Sequence, residues 1–162
     1  MINGYIPAAR FLPFLSWTDV AALPDKSNTV IVLPTGAIEQ HGPHLPCSVD
    51  SVISSGVAGH ALARLPATIP AYAIPPIVYG KSEEHLHFPG TVTLSGDTLL
   101  HTLLEIAESL YRAGFRKLLM INGHGGQPQI LQIACREMRL RHGDFIAIPH
   151  DVFNVPNCEK QF

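Results

Sequence analysis

The chain is poor in charge. Asp, Glu, Lys and Arg supply 15% of its 162 residues, against about 25% in an average soluble domain. A net charge of -2 leaves no surplus of lysine and arginine to neutralise a phosphate backbone or an anionic membrane surface. Nucleic-acid and membrane-surface partners are therefore not expected. Cysteine is scarce too. Cys47, Cys135 and Cys158 form an odd set with no C-x-x-C spacing, which argues against a disulfide framework and a zinc ribbon. No stretch approaches the roughly 20 apolar residues of a membrane-spanning helix, and the opening MINGYIPAAR lacks a basic region followed by an apolar one. A cytoplasmic protein is the expectation. With 46% apolar residues and a length near that of one average domain, residues 1–162 read as a single domain with a sizeable core, and intrinsic disorder is excluded.

What the chain does have is nine histidines, 13 glycines and 14 prolines, a mixture suited to shaped loops that carry imidazoles. Thr29 to Leu33 (TVIVL) predicts a short buried strand ending at Pro34. Ser48 offers an N-cap for a helix to about Arg64, with Asp50 in its first turn. The prolines of PATIPAYAIPPIVYG restrict that segment to one short strand or two edge-like pieces. Thr91 to Leu94 (TVTL) alternates as a further strand. Leu99, Leu100, Leu103, Leu104, Ile106, Ala107 and Leu110 recur at helical spacing until Gly114. A strand over Arg116 to Asn122, a helix from about Gln127 to His142 and a strand over Phe145 to Ile148 complete the pattern, and the tail after Pro149 has none. Strand, loop and helix repeat with connections long enough for crossovers, which predicts a mostly parallel sheet in a three-layer α/β/α sandwich.

Two polar loops, Thr35 to Cys47 and Asn122 to Gly126, each lead from a strand end into a helix. Ligands of open parallel sheets bind beyond the carboxyl ends of the strands, so both loops are expected to face one crevice. In E-Q-H an extended backbone aims Glu39 and His41 the same way. Asp50 returns a second carboxylate, whose two oxygens can bridge two ions. His124, in N-G-H-G-G, adds an imidazole. Oxygen and nitrogen donors without thiolate suit zinc, manganese or iron. Glu39, His41, Asp50 and His124 are thus candidate metal ligands. His44 reads as a partner orienting a ligand carboxylate or as a plain loop residue. Glu84 and His85 precede the FPGT turn, where His85 is a candidate catalytic proton donor and Glu84 reads as solvated. His60, His101 and His142 read as packing or surface residues. A cysteine-hydrolase reading of Cys47 with a neighbouring imidazole is the minor alternative.

The stretches LPTGAIEQHGPHLPCSVD (Leu33 to Asp50), EEHLHFPGTVTL (Glu83 to Leu94) and GFRKLLMINGHGGQ (Gly114 to Gln127) resemble, in order and spacing, the creatininase or creatinine amidohydrolase family. The resemblance implies an α/β/α sandwich and metal ligation by Glu39, His41, Asp50 and His124, with Asp50 bridging two divalent ions. It also implies hydrolysis of amide-type C–N bonds in small cyclic amides, formamides or peptides, and homo-oligomers, often hexamers. Creatininase itself has a glutamate ligand two residues after the histidine of N-G-H, where this chain has Gly126. The chain resembles instead the subgroup with NGHGGN, Gln127 replacing the last Asn, in which a further carboxylate comes from a later H-(A or G)-G-x-x-E-T-S-like segment. No such segment occurs in these residues, so the C-terminal part of the family fold is expected to be missing, with Glu159 the nearest substitute carboxylate.

The expectation is a metal-dependent amidohydrolase acting through a water whose pKa a divalent ion lowers toward 7, with His85 helping the nitrogen to leave. The alternative is a homologue that keeps the fold but serves as a non-catalytic subunit or fragment. Loss of closing strands would leave an exposed sheet edge.

Overall fold

The computed structural model describes residues 2–154. Cys158 and Glu159 lie outside them. Four strands, β1 (Val30–Thr35), β2 (Ala71–Ala73), β3 (Lys117–Asn122) and β4 (Ile146–Asp151), form one sheet in the order β2-β1-β3-β4. Every pairing is parallel, with Leu33 opposite Met120 and Met120 opposite Pro149. The crossovers are α2 (Val49–Arg64), α3 (Gly96–Arg112) and α4 (Pro128–Arg141), preceded by the short α1 (Trp17–Ala22). The fold is the expected α/β/α sandwich.

Strand alternation sorts the core onto two faces. Ile31, Leu33, Leu118 and Met120 pack with Leu99, Leu103, Leu131 and Met138 of α3 and α4. Val32 and Ile121 turn to the other face, against Ala58 and Leu62 of α2 and Phe11 from the N-terminal segment. Each fully buried leucine contributes about 1.5–3 kcal/mol, so the α3 stripe suffices to dock that helix.

Several boundaries differ from the expectation. The first strand continues through Pro34 to Thr35. Residues 30, 32 and 34 present their backbone to the β2 side, where β2 itself ends at Ala73 opposite Val32. There the Pro34 carbonyl accepts from Ile77 and Gly36 donates to the Ile77 carbonyl, so pairing resumes past Pro34 with only the proline's missing N–H left out. Likewise β4 runs past Ile148 to Asp151. Ile146 donates to Arg116 on the β3 side, which turns Pro149 to the open edge. Thr91 to Leu94 is not a strand. Only Val92 pairs, in an isolated antiparallel bridge with Ile38, because no neighbouring strand extends the ladder. Ser48 precedes α2 without a side-chain capping bond. The N-terminal α1, which periodicity does not reveal in six residues, is set by a capping box between Ser16 and Asp19. Among the described residues no helix is long and apolar enough to cross a membrane.

Candidate metal centre

Beyond the carboxyl ends of β1 and β3 the two loops do meet. Gly123 makes this possible, since a Cβ there would stand 2.4 Å from the Asp50 carbonyl and 3.1 Å from the Ser54 nitrogen. Without a side chain the β3 loop lies directly on the first turn of α2. That contact brings Asp50, from the N-terminus of α2 where a carboxylate is favoured by the helix dipole, beside His124.

Each oxygen of Asp50 faces a different imidazole. Nε2 of His41 lies 2.9 Å from Oδ1, and Nδ1 of His124 lies 2.9 Å from Oδ2. Glu39 closes the group, with Oε1 at 3.3 Å from His124 Nδ1 and 3.9 Å from His41 Nε2. The donor atoms of Glu39, His41 and Asp50 all lie within 4.8 Å of one another. Glu39, Asp50 and His124 are buried and His41 is partly so. The four residues singled out in the sequence are therefore brought together.

The backbone selects which nitrogen of each ring faces inward. His41 Nδ1 stands 3.1 Å from the Glu39 carbonyl and His124 Nε2 stands 2.7 Å from the Lys81 carbonyl. A carbonyl only accepts, so these nitrogens carry protons and donate, which leaves His41 Nε2 and His124 Nδ1 facing the Asp50 and Glu39 carboxylates, where a proton or a cation can lie between. A ligating histidine needs this arrangement, its other N–H held by an acceptor. Asp50 Oδ2 is buried without a hydrogen-bond partner; His124 Nδ1 is close to it but off the line of a hydrogen bond. A buried carboxylate oxygen without a hydrogen bond, facing an imidazole nitrogen, is costly unless a cation or proton lies between them. The donor set thus fits a divalent ion.

The titration of the groups tells the same story. Burial pushes the Glu39 carboxyl above its ordinary range, with Asp50 reinforcing the shift and the surrounding histidines opposing it. Burial pulls His124 down, but the Asp50 carboxylate beside its Nδ1, the hydrogen bond to the Lys81 carbonyl and the Glu39 charge leave it raised. Glu39 and His124 both hold protons more readily than usual where a cation could replace them.

His85 lies at the rim, half-buried, its Nε2 4.0 Å from Glu39 Oε2 and its Nδ1 3.2 Å from the Gln40 amide nitrogen. Glu84 is exposed and pairs loosely with Lys81. His44 is exposed, and among the described residues it shows no bond to a ligand carboxylate. Cys47 contributes its carbonyl, which accepts from the Glu39 N–H, and among the described residues no hydrogen bond joins its thiol to an imidazole. Burial pushes the Cys135 thiol up to about 11, which keeps it inert.

Sequence reasoning missed Ser82 and the supporting role of Gln127. Ser82 is fully buried and donates to Glu39 Oε2. Gln127 is fully buried, its Nε2 donating to Asn122 Oδ1 at 3.0 Å and Gly36 O at 3.3 Å, and its Oε1 accepting from Lys81 N at 3.3 Å. Ser82 sits in a segment without periodicity, and Gln127 caps the start of α4 ahead of its first apolar position. The signal available was a polar residue beside each motif.

Fold and site together define an α/β/α domain with a candidate divalent-metal centre at its sheet edge. The chain belongs to the creatininase family, described as creatinine amidohydrolase, which matches residues 13–161. The mycofactocin precursor peptide peptidase of Mycolicibacterium smegmatis is 37% identical over 125 residues, 76% of this chain and 50% of that protein. The creatinine amidohydrolase of Pseudomonas putida is 34% identical over 138 residues, 80% of this chain and 52% of that one. A solved mutant creatininase of Zn-Zn type superposes with a TM-score of 0.76 at 31% identity, covering 90% of this chain and 60% of that one. The chain spans about half the length of the curated relatives it matches.

Proposed function

We propose that this chain is a metal-dependent hydrolase of an amide-type C–N bond in a small molecule or short peptide. Glu39, His41, Asp50 and His124 are the residues that would hold the metal, and Asp50, with an imidazole beside each oxygen, is the one that would be shared if two ions bind. A divalent ion such as zinc, manganese or iron supplies Lewis acidity there and lowers the pKa of a water toward 7. Ser82 holds one Glu39 oxygen and leaves Oε1 toward the two imidazoles. His85, oriented by Gln40 and open to solvent on one side, would deliver a proton to the departing nitrogen. Homo-oligomerisation belongs to the same reading.

The observation that carries the reading is Asp50, buried, with one imidazole on each oxygen and no hydrogen bond to Oδ2. Family membership favours the enzyme over a non-catalytic subunit. The test is metal analysis of the purified protein with turnover of a panel of cyclic amides, formamides and short peptides. Bound Zn, Mn or Fe, and activity lost to a chelator and restored by metal, are expected. A metal-free protein whose turnover survives both chelator and His124→Ala would overturn the proposal.

A further inference from the structure

We propose that the pocket between loop 40–47 and turn 86–90 takes an apolar group carried by the nitrogen of the scissile amide, with Leu45 and Phe88 setting that preference. The preference presupposes the hydrolase reading and narrows its substrate class. The pocket encloses about 320 Å³ between Pro43, Leu45, Cys47, Phe88 and Pro89, with Gln40 completing the wall. That volume is at the low end of the roughly 300–1,000 Å³ of small-molecule sites. No charged residue lines it. The amide of Gln40 is engaged at both ends, Oε1 accepting from the Gly42 N–H at 3.0 Å and Nε2 bonded to His85 Nδ1 at 3.2 Å. A charged occupant would lose its water without gaining a partner, whereas an aliphatic or aromatic group loses nothing. Leu45 and Phe88 are 47% and 41% exposed, so each has apolar surface for such a group to cover.

The position of the pocket selects the side of the bond. Its walls are the two segments that also flank the candidate metal centre: Gln40 lies between Glu39 and His41, and the Phe88 N–H donates to the His85 carbonyl at 3.0 Å. His85 has Nε2 4.0 Å from Glu39 Oε2 and Nδ1 against Gln40, and its ring centroid stands 6.2 Å from that of Phe88. One nitrogen thus faces a metal ligand and the other a pocket wall. With His85 delivering a proton to the departing nitrogen, the substituent on that nitrogen lies on the pocket side and the carbonyl carbon on the ligand side. The walls are also held in place without a ligand. The Cys47 carbonyl accepts from the Glu39 N–H at 3.0 Å, and the Val92 N–H donates to the Ile38 carbonyl at 2.9 Å. A Cβ at Gly90, whose φ is 98°, would stand 3.2 Å from Cys47 Sγ, so the turn lies directly on the loop. Pro43 and Pro89 each have φ fixed by their rings. A preformed apolar pocket binds its ligand with little ordering cost.

The experiment uses the full chain and a set of formamides that share the reacting group and differ only on nitrogen: N-methylformamide, N-isobutylformamide and N-benzylformamide. The zinc-loaded wild type is expected to hydrolyse the isobutyl and benzyl compounds with kcat/KM at least about 10-fold above the methyl compound, the gain from burying extra methylenes in an apolar pocket. Leu45→Asp and, separately, Phe88→Ser should remove most of that preference. A readout free of turnover comes from Cys47, a partly exposed thiol in the pocket wall. In the metal-stripped wild type, the isobutyl and benzyl compounds are expected to slow alkylation of Cys47 by iodoacetamide, followed by mass spectrometry of its peptide. N-methylformamide should not slow it, and Leu45→Asp should abolish the protection. Thermal melts establish that each variant is folded, and a Phe88→Ser chain that does not fold leaves the decision to Leu45→Asp. Equal turnover of the formamides, with Cys47 alkylated at one rate whether or not they are present, would overturn the proposal. A Cys47 shielded in concentrated protein and freed on dilution would overturn it too, making the pocket an interface between copies of the chain. If the chain binds no zinc and hydrolyses no formamide, the hydrolase reading fails, while Cys47 protection still decides whether the pocket takes an apolar group.

Discussion

The sheet carries a histidine–carboxylate cluster at each edge, and the two are built differently. At the edge where β3 and β4 begin, His142 Nε2 bonds Glu108 at 2.7 Å, Arg112 adds to Glu108 at 3.4 Å, and Arg116 and Tyr111 hold Asp144. His142 also stacks on Tyr111, and Arg116 covers that ring 3.9 Å from its centroid. Each acid there has its own donors. The His142 hydrogen bond holds Glu108 below the usual carboxylate range, and the Arg116 hydrogen bond does the same for Asp144. At the opposite edge two buried acids share two imidazoles, Glu39 is pushed up rather than down, and one Asp50 oxygen has no hydrogen bond. A finished ion-pair network is a fastener. An unfinished one, kept dry, is a place for a ligand.

Substitutions sharpen that contrast. Asp50→Asn or His124→Ala should produce the largest effect, a loss of metal affinity and turnover exceeding about 100-fold, because a direct ligand costs more than a partner that orients one. Both are read by metal analysis and by kcat/KM. Ser82→Ala should cost less, about 10-fold in metal affinity, since Glu39 keeps its charge but loses a hydrogen bond worth about 1.5–3 kcal/mol to a charged acceptor.

Proton linkage separates the edges again. The folded pKa values of His124 and Glu39 lie above their ordinary 6.5 and 4.5, so the folded protein binds these protons more tightly than the unfolded chain does. Their contribution is present below those ordinary values and is lost as pH rises through the raised native ones. Tm of the stripped protein should therefore fall as pH climbs above 6.5. Added zinc, replacing the protons, should restore it most at the alkaline end, by about 2.7 kcal/mol at 100 times Kd. A stripped protein whose Tm rises over that range would contradict the assignment. The smallest effect belongs to the finished cluster: His142→Ala should lower Tm slightly and leave metal content and turnover unchanged, since this half-buried pair lies at the opposite end of the sheet from the metal ligands.

The legible parts of the molecule were those in which local pattern and chemistry coincide. TVIVL and RKLLMIN announce buried strands because both faces are covered, and each hands its polar loop to a helix, so Glu39, His41, Asp50 and His124 could be placed at one sheet edge from spacing alone. Asp50 lay in the first turn of α2 as expected. Ser82 and Gln127 were not legible, because each reaches the site only through the tertiary approach of the Lys81 segment to the β1 and β3 loops. Thr91 to Leu94 had a strand's alternation but no neighbour to pair with beyond Ile38. Pro34 reads as a strand end and is not, because it lacks only a donor, and its carbonyl still accepts from Ile77 on the same side.

The most direct measurement is a calorimetric zinc titration of the stripped full chain, run in parallel on wild type and Asp50→Asn with folding verified. The account predicts saturable binding by the wild type, releasing protons as pH falls below the raised His124 value, and binding weakened more than about 100-fold in the variant. Equal binding by both proteins, or none by the wild type, would contradict it.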